Sequence, residues 1–338
     1  MIADVFLREI PPLLRANPQL KLYGSVLRHA DGRIAGFLQE TSGLSKIAEM
    51  VASGPMAPVK LVGDFLTIVQ NEQIKGGVAR LEQGVTLLNQ LGVANLAVSA
   101  VGIGVSAVGF AVMNRKIDGL RDEVRALGEK LEAVHADVRA IDLKLVADRL
   151  KQLRGLARSV DGGWMMSDEG GRLSWRDDAG EARRLHDFFE GRAEQLLADQ
   201  PLAVAEATPL LDASAMASGL RVAALALSGE TAAAINVAQE DAVRLEQLTG
   251  GIGAADLARG WLAQPQWQRA SGSDAAGDAL ALAMREARAT AATLRAREAV
   301  AATRAAPLLA LEAKGLRARD WLGAARAEEN APLLLMEA

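Results

Sequence analysis

Leu96-Ala97-Val98-Ser99-Ala100-Val101-Gly102-Ile103-Gly104-Val105-Ser106-Ala107-Val108-Gly109-Phe110 is the centre of a run, Gln83–Asn114, that holds no Asp, Glu, Lys, Arg or His. Glu82 and Arg115 bound it. An uncharged apolar stretch of about 18 residues or more marks a candidate membrane helix. The residues expected to enter lipid are Leu91, Val93, Leu96, Val98, Val101, Gly102, Ile103, Gly104, Val105, Val108, Phe110 and Val112.

Three arrangements fit the run. A single straight helix would rise roughly 48 Å against about 30 Å of hydrocarbon. Leu91 to Met113 would suffice, with Arg115, Lys116 and Arg121 marking a cytoplasmic C-terminal side. A reversal at Gly102-Ile103-Gly104 would instead make the run the tip of a helical hairpin. Each limb would then rise roughly 22 Å, short of a full span. Third, the run is the central helix of a soluble bundle, where an all-round apolar surface is permitted. The small pairs Ala100/Gly104, Gly102/Ser106 and Ala107/Ala111 allow close helix approach in lipid or in water.

The flanks favour the hairpin. Upstream, Ile74, Val78, Leu81, Val85 and Leu88 recur at steps of four and three. Downstream, Ile117, Leu120, Val124, Leu127, Leu131, Val134, Val138, Ile141 and Leu145 keep a heptad, which predicts a long coiled-coil-like helix over 115–157. Asp148 breaks this frame, and a second stripe of Leu143, Val146, Leu150 and Leu153 takes over. Overlapping stripes predict burial on more than one side.

Further out, residues 1–58 read as an N-terminal cap. Leu22–His29 and Arg33–Gln39 flank Ala30-Asp31-Gly32, a hairpin signal because Gly accepts the positive φ of such turns. Residues 59–160 carry the long helices around the apolar run. Residues 161–181 read as a turn-rich linker or second small hairpin, from Asp161-Gly162-Gly163, Glu169-Gly170-Gly171 and Asp177-Asp178-Ala179-Gly180. Residues 182–338 read as an Ala- and Arg-rich helical bundle, with helices over 182–198, 210–227, 231–248, 255–262 and 274–305 and a last one after Pro307.

The 338 residues are 50% hydrophobic yet only 4% aromatic, so the apolar content is mostly Ala, Leu and Val. That suits helix-on-helix packing. The expected fold is all-α with minor β: an elongated helical bundle. A net charge of −4 with mixed signs argues against a nucleic-acid partner. There is no cysteine, which excludes disulfides, thiolate metal sites and cysteine nucleophiles. Met1–Ile10 contains Asp4 and Glu9 and lacks a long apolar core, unlike a signal peptide. The expected location is cytoplasmic when soluble, then membrane-associated.

In architecture the chain resembles the α-helical pore-forming toxins of the cytolysin A and haemolysin BL kind. The resemblance rests on Gln83–Asn114 between the helical runs 59–82 and 115–157, under a third of the chain. It implies a long helical bundle whose apolar head is hidden in the soluble form and enters the membrane on assembly. The partners expected are a lipid bilayer and further copies of the chain or a partner subunit.

No residue pattern predicts catalysis, a cofactor or a metal site. Gly102-Ile103-Gly104 with Gly109 has the wrong spacing for a dinucleotide fingerprint, and Gly250-Gly251-Ile252-Gly253 reads as a helix stop and start. His29, His135 and His186 read as solvated, as do the pairs Asp168-Glu169, Asp177-Asp178 and Glu240-Asp241. Trp164, Met165, Met166 and Trp175 are candidates for lipid or partner contact, with local packing the default; Trp261 and Trp267 read as helix-end staples. Arg285, Arg288, Arg295, Arg297 and Arg304 form a solvated face or one for anionic headgroups. The function expected is non-enzymatic insertion into a bilayer, as by a bacterial pore-forming effector. The alternative is a coiled-coil scaffold or adaptor, membrane-anchored or soluble.

Overall fold

Helices dominate, and one small antiparallel sheet joins residues from opposite ends of the sequence. The computed structural model describes residues 6–7, 19–23, 25–41, 117–125, 136–199, 204–262, 275–328 and 333–337. The apolar run Gln83–Asn114, the upstream stripe, Leu127, Leu131, Val134, His135 and Trp267 lie outside the described residues. So do the side chains of Val138, Ile141, Leu143 and Trp261.

The strands are β1 (Phe6–Leu7), β2 (Lys21–Tyr23), β3 (Val26–Arg28), β4 (Ile34–Glu40) and β5 (Leu333–Glu337). The β3–β4 turn is the expected hairpin: Gly32 adopts φ +86°, and the Asp31 carboxylate accepts from the Arg33 backbone N–H at 3.0 Å. Strand order is β1-β5-β4-β3-β2, all neighbours antiparallel. The cap is therefore not N-terminal alone, because β5 lies between β1 and β4. Register aligns Phe6, Met336, Phe37, Val26 and Tyr23 in one row across all five strands. Cross-strand partners share a face, and Val26, Phe37 and Met336 of this row join the main core.

The helices are α1 (Ala136–Gly162), α2 (Asp168–Asp199), α3 (Val204–Ser228), α4 (Thr231–Thr249), α5 (Ala254–Leu262), α6 (Ala275–Thr303), α7 (Ala306–Ala313) and α8 (Ala318–Ala327). α3 is the central element. It packs against α1, α2, α4 and α8, and Leu211, Ala213, Ala217, Leu220, Ala224 and Leu227 are all buried. Its many buried alanines suit close packing against α2, its main neighbour. α6 lies against α4, α5 and β2, and Thr303 donates to the Tyr23 carbonyl at 3.2 Å, fastening bundle to sheet.

Two expectations are overturned. Residues 168–181 are neither linker nor hairpin but the first half of α2. Ser167 caps it, accepting the Gly170 N–H at 3.2 Å, and Asp168 and Glu169 complement the positive end of the helix. The inward stripe Gly171, Trp175, Ala179, Ala182, Leu185, Phe189, Ala193 and Leu197 runs at helical spacing through the glycines. Packing along that stripe overrides local turn chemistry.

The second is the rod expected over 115–157. Residues 117–125 are helical, and Arg154 of α1 meets Asp118 at 2.7 Å. In one continuous helix those residues would stand about 54 Å apart. The chain therefore folds back between them. Ile117, Leu120 and Val124 are buried in the core, whereas Leu145 of the same heptad is 37% exposed. On α1 the second stripe, Val146, Leu150 and Leu153, faces the core.

Candidate functional site

Among the described residues, the turn between α1 and α2 carries exposed large apolar side chains on a heavily braced support. α1 ends at Gly162, and Gly163–Met165 form a single 3₁₀ turn. Trp175 of α2 is fully buried beneath it and donates its indole N–H to the Val160 carbonyl at 2.8 Å. Trp164 meets Trp175 edge to face, with centroids 5.2 Å apart. A Cβ on Gly163 would overlap the Trp175 indole, and one on Gly171 would lie 2.8 Å from the Gly163 carbonyl oxygen. Both positions need glycine so that the two helices can close over the ring.

α8 clamps this platform from the side. The Arg319 guanidinium lies 5.2 Å from the Trp175 ring centre and reaches Asp168 at 2.8 Å. Arg326 lies 5.2 Å from the Trp164 ring centre and reaches Asp161 at 2.7 Å. Trp321 of the same helix donates to Gln39 of β4 at 3.3 Å, so the sheet braces the clamp. Above the platform stand Met165, 89% exposed, Met166, 52% exposed, and Leu173, 55% exposed. A Cβ on Gly170 would lie 3.6 Å from that of Met166, and Leu173 follows one helical turn later on the same face. All three are exposed apolar side chains within nine residues of one turn.

A second cluster is polar and buried. His186 of α2, Ser218 of α3, Asp241 of α4 and Arg304 after α6 converge. Ser218 donates to Asp241 and accepts from Arg304, and the His186 Nε2 stands 3.9 Å from Asp241. Burial lowers the Arg304 pKa from its ordinary value, and the Asp241 charge opposes that shift. A nucleophilic relay places the imidazole between hydroxyl and carboxylate. Here the carboxylate lies between the other two, so Ser218 has a carboxylate, not an imidazole, as its acceptor. The arrangement ties four helical elements together.

The arginine face expected on 274–305 divides. Arg285 and Arg288 are exposed. Arg297 instead makes a buried pair with Asp212 of α3 at 3.1 Å. Arg295 donates to the Thr249 and Gly250 carbonyls at the end of α4, the negative pole of that helix, and pairs with Glu298 at 2.9 Å. Arg304 is spent inside the polar cluster.

His186 is buried, not solvated, because it lies beside Leu185 on the inward side of α2. His29 is exposed at the hairpin turn. Asp178 faces α1 from α2, and burial raises its carboxyl pKa against the opposing effect of a Ser159 hydrogen bond, with Asp177 adding to the rise. The signal that would have located these groups is the α2 stripe itself, which carries Asp178 and His186 inward. Comparison with protein-family models, curated proteins and solved structures finds no match.

Proposed function

We propose that this chain is a non-enzymatic, membrane-active helical protein that keeps Gln83–Asn114 shielded in a soluble form and inserts it into a bilayer. A bacterial pore-forming effector acting as an oligomer is the form that fits the resemblance best. The observation that carries the reading is the absence of every ionisable residue from that run. One feature of the described bundle supports it: the central position is already filled by α3, so packing of these helices does not call for a second all-apolar helix. The soluble form is placed in the cytoplasm, and the membrane is its partner.

The test is dye release from liposomes. Micromolar protein is expected to release the trapped dye, and Val101→Asp or Val105→Asp to abolish release without lowering the melting temperature. Intact liposomes would sink the proposal. A scaffold role is the second reading, favoured by Leu145, which stands exposed on α1 in line with the heptad. It predicts stable membrane or partner association with no change in permeability.

A further inference from the structure

We propose that the α1–α2 turn is the foot by which the protein first rests on a bilayer, with Met165, Met166 and Leu173 entering the interfacial layer. The inference rests on the membrane reading above and adds the surface that makes first contact.

Three observations converge on this turn. The first is exposure: three large apolar side chains are open to solvent within nine residues of one turn, whereas exposed apolar residues scattered singly are ordinary on any surface. The second is bracing. Met165 and Met166 follow an indole pair, Trp175 buried and Trp164 partly buried, clamped by Arg319 and Arg326, so they are presented on a fixed base. Unbranched thioether side chains on such a base adapt to an irregular surface such as lipid.

The third is position. Residue 117 follows Asn114 by three positions, and the Asp118–Arg154 pair places this entry point beside α1. From Arg154 to Gly162 the helix rises only about 12 Å. The chain leaving the uncharged run thus joins the described bundle at the end that carries the exposed cluster. A bilayer touched by this turn would meet the bundle where that run is attached.

Charge does not select the headgroup. Arg172 and Glu169 are both exposed beside the cluster, and Asp168 is held by Arg319. The contact is therefore apolar, and lipid acyl chains rather than anionic headgroups are the recognised chemistry.

The chain's lack of cysteine makes the experiment direct. Met165→Cys in the full-length protein carries a single environment-sensitive dye, titrated with phosphatidylcholine vesicles with and without phosphatidylglycerol. A blue shift and increased emission are expected in both. The variant carrying Met165→Gln, Met166→Gln and Leu173→Gln is expected to keep its melting temperature and to partition into both vesicle types about tenfold or more weakly. Leu280→Gln with Leu309→Gln, exposed apolar positions elsewhere, is expected to leave partitioning unchanged.

If wild-type protein releases dye but the triple variant partitions as well as wild type, the foot is wrong and the membrane reading stands. If wild type neither partitions nor releases dye, both fall. A triple variant that changes only the oligomeric state in solution overturns the foot in favour of an interface between copies.

Discussion

Two stretches of this chain are long and apolar enough to cross a bilayer, and they differ in one telling respect. Glu206–Ser228 within α3 contains Glu206, Asp212 and Arg221, and most of it is buried inside the bundle. Gln83–Asn114 contains no ionisable residue at all. Asp212 on α3 has a dedicated partner, Arg297 of α6, with both side chains about one-tenth exposed. A charge with a fixed partner in a neighbouring helix is a device of a packed bundle core. It ties the helix to that neighbour, because parting would break a largely buried ion pair. Hydropathy alone does not separate the two stretches; their content of ionisable residues differs.

The strongest way to break that comparison is to place the same charge in both. Leu220→Asp, at a fully buried position of α3, is expected to unfold the protein, with a loss of about 4 kcal/mol or more in urea denaturation. Val101→Asp is expected to leave the urea midpoint within error while dye release is lost. Equal destabilisation by the two would make Gln83–Asn114 a second core helix.

Next in size is Trp175→Ala, expected to cost about 3–5 kcal/mol, since it empties the space beneath the turn and leaves the Val160 carbonyl without its donor. Loss of the Trp164–Trp175 contact should also appear as a change in the near-ultraviolet circular dichroism.

Arg297→Ala is expected to cost about 3 kcal/mol by removing the cation from a largely buried ion pair. Combining Arg297→Met with Asp212→Leu should recover most of that loss. A double variant no more stable than Arg297→Ala would show that the pair contributes net stability to the bundle.

The smallest effect concerns Asp178. Its folded-state pKa is raised by burial, so the native state holds this proton more tightly than the unfolded chain. Stability is then greatest below the ordinary value of 3.8 and falls as pH rises through the raised pKa, remaining reduced above it. Asp178→Asn is expected to raise the melting temperature at neutral pH and to flatten this one contribution to its pH dependence. A wild-type melting temperature that drops equally with and without the substitution would assign the slope to other groups.

How much of this was readable in advance follows the range of the forces involved. Helical stripes are local, so 231–248 was legible almost to the residue as Thr231–Thr249. The β3–β4 hairpin was legible because Asp31-Gly32 carries its own turn chemistry. The first half of α2 was not, since Gly170, Gly171, Asp177, Asp178 and Gly180 are turn formers when read singly. Only the stripe through Trp175 and Ala179 outweighs them. β5 was missed for a different reason. Leu333–Met336 is a short apolar run after Pro332, and its partners lie about 300 positions earlier, beyond any local pattern.

The candidate site was half legible. Trp164, Met165, Met166 and Trp175 drew notice by type, but Leu173 and the clamp by Arg319 and Arg326 depend on tertiary packing. The arginines of α6 look alike in sequence and divide only when α3 and α4 supply acceptors for some of them.

The pairing of β4 with β5 also governs timing. Residue 333 leaves the ribosome some 15–60 s after residue 40, at about 5–20 residues per second. Through that interval one side of β4 has no strand to pair with, and the uncharged run is completed well before β5 is made. The nascent chain must pass through synthesis with its longest uncharged segment complete and its sheet still open.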